Sequence, residues 1–192
     1  MICVLAGGVG AARLLVGLIR VVPPGEIVAV VNTADDVVLH GLHISPDLDT
    51  VTYTLAGAHN TETGWGLAGE TWEAMGALKS LGGPVWFSLG DRDLGTHLYR
   101  TGRLAEGAGL AEVTAEIATS FGLGVRLLPM TEDRVATMVT LAEGDRPGVE
   151  VGFQEWFVGL GNAAPVAGVR FDGVEVARPG PGVLETIADA EV

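Results

Sequence analysis

The sequence predicts an α/β fold, an open, doubly wound and mainly parallel sheet, and three features predict it. Short continuous apolar runs alternate with helix-compatible segments, the first run ends in a glycine turn, and acidic residues gather just past predicted strand ends. Ile2 to Ala6 is the first run; it ends in Gly7-Gly8-Val9-Gly10 and leads into a helix-compatible stretch from Ala11 to Val22. Pro23-Pro24-Gly25 stops that helix, because proline has no amide hydrogen to give and its ring collides with the preceding turn. Ile27 to Val31 is a second run of the kind buried on both faces of a parallel sheet, so the opening reads as a βαβ unit.

Asn32 to Asp49 is polar and reads as a loop beyond the second strand. Thr50 to Ala56 follows as a helix with Asp47 or Asp49 near its start, where a carboxylate complements the amide groups of the first turn. Glu70 to Leu81 reads as helix, Val85 to Phe87 as a third strand, and Leu94 to Arg103 and Leu110 to Phe121 as two further helices. Beyond Val125 the pattern changes. Val135 to Leu141 and Val149 to Val158 are β-rich and separated by Glu143-Gly144-Asp145-Arg146-Pro147-Gly148, which reads as a hairpin or a small antiparallel extension. Pro179-Gly180-Pro181-Gly182 then introduces a last helix from Val183 to Ala190. The expected organisation is a Rossmann-like core over 1–128, a small β-rich insertion or subdomain over 129–178, and a return toward the core over 179–192 that stops where a further core strand would begin.

Composition narrows the function classes. With 11 basic and 24 acidic residues the net charge is −13, so the average surface repels nucleic acid and anionic lipid, and any bound phosphate needs local donors or a bridging cation. Cys3 is the single cysteine, which excludes an internal disulfide framework and a cysteine zinc cage; it reads as a small buried hydrophobe. No apolar run approaches the roughly 18 residues that cross a bilayer, and no signal peptide is visible, so a cytoplasmic protein is expected.

Three segments can carry chemistry. Gly7, Gly8 and Gly10, between a strand and a helix, either make a ligand-free turn or let backbone amides cradle a phosphate at the positive end of the helix, with Arg13 nearby. Arg13 stands where a dinucleotide fingerprint has its third glycine, and no Gly-Lys-Ser/Thr follows, so neither standard nucleotide motif is complete. Asp35, Asp36, Asp47 and Asp49 lie where such sheets bind ligands, and carboxylates suit magnesium bridging to phosphates; Asp47 equally suits a helix cap. His40 and His43 leave a zinc or manganese site open. The third segment, around Ser88-Leu89-Gly90-Asp91-Arg92-Asp93, places Arg92 as a clamp for a phosphate or carboxylate, or as a salt bridge, and His97 a turn further on. Trp65 and Trp72, like Phe153-Gln154-Glu155-Trp156-Phe157, are divided between core packing and a cover for an aromatic ligand.

Taken in order, Gly7-Gly8-Val9-Gly10, Val31-Asn32-Thr33-Ala34-Asp35-Asp36, His40 to Thr50, Leu89-Gly90-Asp91-Arg92-Asp93, Leu128-Pro129-Met130-Thr131 and Phe153-Gln154-Glu155 resemble the motif series of the 2-phospho-L-lactate transferase (CofD) family, called phosphoenolpyruvate transferase in actinobacteria. The resemblance runs from Met1 to about Ile187 and looks like the family's amino-terminal two-thirds. It implies a transferase of coenzyme F-420 biosynthesis, in which the deazaflavin Fo accepts a phospholactyl or phosphoenolpyruvyl group from a guanosine-diphosphate-activated donor and GMP leaves. By the same resemblance Asp35 and Asp36 are expected catalytic residues and, with Asp49, ligands of Mg2+. Asp49, Ser88, Arg92 and His97 fall to the Fo side, and Gly7, Gly8, Gly10, Arg13 and Asn32 to the nucleotide. A homodimer is expected. Ser88 departs from members that carry lysine there. A non-catalytic nucleotide-binding regulator of the gluconeogenesis-factor type is the alternative, although Val37-Val38-Leu39-His40-Gly41 replaces the glycine- and serine-rich stretch of that group. A dehydrogenase is disfavoured by the imperfect fingerprint.

Overall fold

A computed structural model describes residues 1–144 and 146–192; Asp145, inside the expected hairpin turn, lies outside the described residues. The first sheet has the order β1 (Ile2–Ala6), β2 (Ile27–Val31), β5 (Arg126–Pro129), all parallel, with Ile2 opposite Ile27 and Val28 opposite Arg126. All five residues of β2 are buried because helices cover both faces. Ile27, Ala29 and Val31 meet Ala12 and Leu15 of α1 (Val9–Leu18) and Leu48 and Val51 of α2 (Pro46–Leu55). Val28 and Val30, pointing the other way, meet Val183 of α6 (Val183–Asp189). At about 1.5–3 kcal/mol for each Val or Ile side chain taken from water, this central strand is a principal source of the fold's stability. β1 lies at the sheet edge with Leu5 exposed, and Cys3 is only half-buried there.

Between β2 and β5 the chain runs through α2, α3 (Glu73–Ser80), α4 (Asp91–Ala105) and α5 (Leu110–Ser120). Two expectations need correction here. Val85 to Phe87 is not a strand: Val85 and Phe87 turn into a cluster with Ile44, Met75 and Leu89, Trp86 between them turns outward, and the third strand of the sheet is β5. The polar stretch 32–49 is not all loop, because β3 (Val37–Leu39) and β4 (Leu42–Ile44) pair antiparallel around His40 (φ 54°) and Gly41 (φ 78°). Two positive φ angles in a two-residue connection give the turn the twist a tight hairpin needs, and Gly41 takes that conformation without strain.

Beyond β5 a second, antiparallel sheet has the order β7 (Glu150–Gly152), β6 (Ala136–Leu141), β8 (Val166–Asp172). Thr137, Val139 and Leu141 alternate inward along β6, as a half-buried strand requires. The β-rich reading of Val149 to Val158 holds only to Gly152, after which the chain turns helical and forms a π-helical turn over Glu155–Gly159. β8 was not expected from the sequence, since its burial does not alternate and Val169 and Phe171 are exposed. The chain then returns to the first sheet, where the Gly180 amide donates to the Met130 carbonyl (2.8 Å).

Candidate functional site

Strand β1 hands the chain to α1 through Gly7 and Gly8, and the segment after β2 lies directly alongside: the Asn32 amide donates to the Ala6 carbonyl (2.8 Å). A Cβ on Gly8 would stand 2.7 Å from Oδ1 of Asp47, so only glycine lets that carboxylate approach the turn. Asp47 thus sits against the start of α1, where the helix's unpaired amides favour negative charge. The Asn32 side-chain amide donates to Oδ2 of both Asp47 (2.9 Å) and Asp35 (3.0 Å), which holds the two carboxylates beside each other. Burial raises the Asp47 pKa, Asn32 opposes the rise, and the nearby Asp35 charge adds to it. Oδ1 of Asp35 is buried with no hydrogen-bond partner among the described residues.

Asp36 faces a different neighbourhood. Its Oδ2 accepts from the Ser45 hydroxyl (2.6 Å), and its Oδ1 is buried without a partner among the described residues. Burial pushes its carboxyl pKa well above the usual range, against the Ser45 hydrogen bond and the Arg100 charge, which lower it. Asp36 lines a cavity of about 930 Å3 between the β3–β4 hairpin, α4 and the second sheet, with Arg100, Thr131, Trp86 and Phe153 among its walls. The two sheets are joined beside it. The Thr137 amide donates to the Ala34 carbonyl (2.8 Å), and the Gln154 side chain donates to the Asp35 carbonyl (3.2 Å).

Behind the wall lies a buried polar chain. Arg100, 2% exposed, forms a two-pronged ion pair with Asp49, 6% exposed, and its Nη1 also donates to the His43 carbonyl (3.3 Å). Burial works to lower the Arg100 pKa, but the Asp49 charge and hydrogen bonds raise it overall. His97, also buried, lies with Nδ1 3.7 Å from Asp49 and Nε2 3.2 Å from Asp93, and Asp93 accepts from the Tyr53 hydroxyl (2.6 Å). Burial would raise the Asp93 pKa; the His97 and Tyr53 contacts outweigh it and hold the carboxyl below its ordinary value.

The expected site residues therefore divide. Gly7, Gly8, Asn32 and Asp35 come together with Asp47, and Asp35 and Asp36 both line the cavity. Arg13 is exposed near the loop at Gly64, and Gly10 is exposed with open space around it. Asp35, Asp36 and Asp49 do not converge as one metal-sized trio: Arg100 draws Asp49 away, and among the described residues no three His, Cys, Asp or Glu side chains are placed to hold a metal ion. His40 is exposed at the hairpin tip, whereas His43, also exposed, lines the same cavity as Asp35 and Asp36. Asp49, Ser88, Arg92 and His97 are absent from the cavity walls. Ser88 is exposed in an irregular stretch, and Arg92 donates to the Ala68 carbonyl (2.6 Å), fastening the loop that precedes α3. Sequence reasoning missed Arg100 and Trp86. Asp93, His97 and Arg100 fall at i, i+4 and i+7, a polar stripe on one face of α4 that could have drawn attention to Arg100.

Residues 2–192 match the family model for 2-phospho-L-lactate transferase CofD. The phosphoenolpyruvate transferase of Streptomyces avermitilis is 48% identical over 193 residues, covering 100% of this chain and 60% of that protein. That of Mycolicibacterium smegmatis is 41% identical over 204 residues, covering 100% and 62%. The chain thus spans about three-fifths of the length of the curated relatives it matches. A crystal structure of a UPF0052-family protein from Bacillus halodurans superposes with a TM-score of 0.59 at 20% identity, over 98% of this chain and 56% of that one, a likeness of fold. Among the described residues no helix is long and apolar enough to cross a membrane.

Proposed function

We propose that this chain, which belongs to the 2-phospho-L-lactate transferase CofD family, carries the reaction centre of a transferase of coenzyme F-420 biosynthesis. The group moved is 2-phospholactyl or phosphoenolpyruvyl, the donor its guanosine-diphosphate-activated form, and the acceptor a hydroxyl of the deazaflavin Fo. The hydroxyl oxygen attacks the phosphorus bearing the organic acid, the bond from that phosphorus to the bridging oxygen breaks, a phosphodiester forms and GMP leaves. One observation carries this reading: Asn32 and Asp35, which join the glycine turn and Asp47 in one cluster, stand on the same short loop after β2 as Asp36 in the cavity wall.

In this arrangement the glycine turn and the start of α1 receive the diphosphate, and Asn32 fixes the carboxylates beside it. Asp35 and Asp47 fit a divalent cation. They are hard oxygen donors, they repel one another across a shared amide, and one Asp35 oxygen is buried without a partner among the described residues. Magnesium bound there would neutralise the diphosphate charge. Asp36, held by Ser45 in the cavity wall, takes the proton of the attacking hydroxyl. Arg100, oriented by Asp49, places fixed positive charge in the cavity wall, where it favours ionised Asp36 and the charge developing on the transferred phosphoryl. Asp49 then acts through Arg100 rather than by touching Fo. Positioning and electrostatics carry the rate, as phosphoryl transfer requires.

The test is GMP release and phosphodiester formation by the purified chain supplied with activated donor, Fo and magnesium. Asp36→Asn is expected to cut the turnover rate by about 10²–10⁴-fold, the worth of general acid–base catalysis, with Fo binding retained. A full rate in Asp36→Asn would refute the assignment. Absence of Fo binding by the unsubstituted chain would favour the regulator instead.

A further inference from the structure

We propose that His97 is a positioning residue: its Nδ1 accepts a hydrogen bond from Arg100, its one ring proton sits on Nε2 toward Asp93, and the guanidinium is thereby set in the cavity wall. The catalytic consequence rests on the transferase reading; the tautomer does not.

Arginine offers only donors, and in a folded protein its guanidinium keeps its charge. Nη1 of Arg100 lies 3.3 Å from Nδ1 of His97, so that ring nitrogen must present its lone pair. The proton of the imidazole then stays on Nε2, because the bond made by one ring nitrogen decides the state of the other. Nε2 lies 3.2 Å from Oδ2 of Asp93; the approach is oblique, and Nε2 has no better-aligned partner among the described residues. The opposite arrangement fails on both counts. A proton on Nδ1 would have 3.7 Å to cross to Asp49 and would point at a guanidinium N–H.

Asp49 holds the guanidinium with both oxygens, yet a two-pronged pair can still hinge about the line that joins the two groups. Acceptors from two other directions remove that freedom: the His43 carbonyl on β4, and His97, one turn before Arg100 on the same face of α4. The imidazole is backed in turn. Asp93 stands one turn before it and accepts from the Tyr53 hydroxyl of α2 (2.6 Å). Burial, with the Asp49 and Asp93 charges, raises the Tyr53 pKa, so the hydroxyl keeps the proton it donates. A line of polar contacts thus runs from α2 through α4 to the cavity wall. His97 is 1% exposed and absent from that wall, so it reaches the site only through Arg100.

Two-bond 15N–1H spectra of the full chain, labelled at histidine and free of ligands, read the tautomer; the His97 signal is the one that His97→Asn removes. A bare Nδ1 and a protonated Nε2 are expected at neutral pH. A protonated Nδ1 would overturn the inference whatever the chain catalyses. Turnover of activated donor and Fo with magnesium is the second arm. Asparagine puts an oxygen where Nδ1 stands, whereas glutamine puts its amide where Nε2 stands. His97→Gln is expected to lower kcat about 10²-fold with KM for Fo unchanged, since a charge displaced by about an ångström fails the transition state and not the bound substrate. His97→Asn should recover most of that loss, and urea midpoints of the two variants show that stability does not separate them. A rate in His97→Gln equal to or above that in His97→Asn would overturn the positioning role, because a residue that merely filled space would not tell them apart. No turnover by the unsubstituted chain would count against the transferase reading alone, and the spectra would still decide the Arg100 contact.

Discussion

The Asp49–Arg100 pair gives the sharpest test of how the site is supported. Both side chains are buried, and the guanidinium reaches Asp49 with two nitrogens, one of them at 3.2 Å. At that distance and an effective dielectric near 20 the gross attraction is about 5 kcal/mol. Removing both ions from water costs a similar amount, so the pair adds little over two apolar residues of like volume, whereas removing one partner strands the other and costs about 3–5 kcal/mol. Arg100→Met and Asp49→Leu are therefore each expected to lose about 3–5 kcal/mol, a large part of the roughly 5–15 kcal/mol that folds a domain. The double variant should lie nearer the unsubstituted protein than either single one. Urea unfolding at low temperature, with fluorescence and circular dichroism as coincident probes, gives the four free energies. Additivity of the two substitutions within about 0.5 kcal/mol would refute the view that they form one unit. Activity supplies a second readout. Arg100 opposes the burial that raises the Asp36 pKa, so a folded Arg100→Met protein should need higher pH to ionise Asp36, and the acid limb of its rate profile should move upward.

Asp36 itself should carry a stability cost. Its folded-state pKa stands above the unfolded value of about 3.9, so the folded protein holds more protons between those two values, and stability falls as pH rises through that window and then levels. Asp36→Asn should remove the slope and stabilise the protein at neutral pH; unfolding midpoints across the acid range check this, and an unchanged slope would contradict it. Gly8→Ala should push Asp47 from the turn and weaken magnesium-dependent GDP binding, measured by calorimetry. Gly10→Ala, with open space at its Cβ, should instead raise stability by about 0.5–1 kcal/mol through helix propensity. Tyr53→Phe, deleting a hydroxyl that donates to Asp93, should cost about 1.5–3 kcal/mol, the worth of a hydrogen bond to a charged group, in the same urea assay.

What the sequence made legible follows from periodicity and range. β1, β2 and the helices α1, α2, α4 and α5 could be read because an apolar run or a helical stripe is a local pattern. Val85 to Phe87 misled because three alternating residues look alike in a strand and in an irregular segment that packs on the core; only pairing with a neighbour distinguishes them, and that neighbour is distant in sequence. The β3–β4 hairpin hid behind a His40-Gly41 turn in place of the commoner Asn-Gly, inside a stretch marked by its aspartates. β8 carried no signal, because a strand exposed on both faces has no reason to alternate.

The same division runs through the site. That carboxylates crowd the end of β2 was plain from spacing, but which of them face one another was not, since partners such as Asn32, Ser45 and Arg100 decide it. Four aspartates of one composition end in three environments. Asp35 and Asp47 share an amide beside a glycine turn, Asp36 has one buried oxygen without a partner among the described residues, and Asp49 is neutralised by an arginine 51 residues away. Chemistry separates along those lines: a pair that repel each other invites a cation, a lone buried oxygen invites a proton, and a carboxylate locked to a guanidinium can do little more than hold it in place. If Asp49→Asn kept Arg100 folded in position, its rate should fall less than that of Asp36→Asn; a steeper fall would return Asp49 to direct contact with the acceptor.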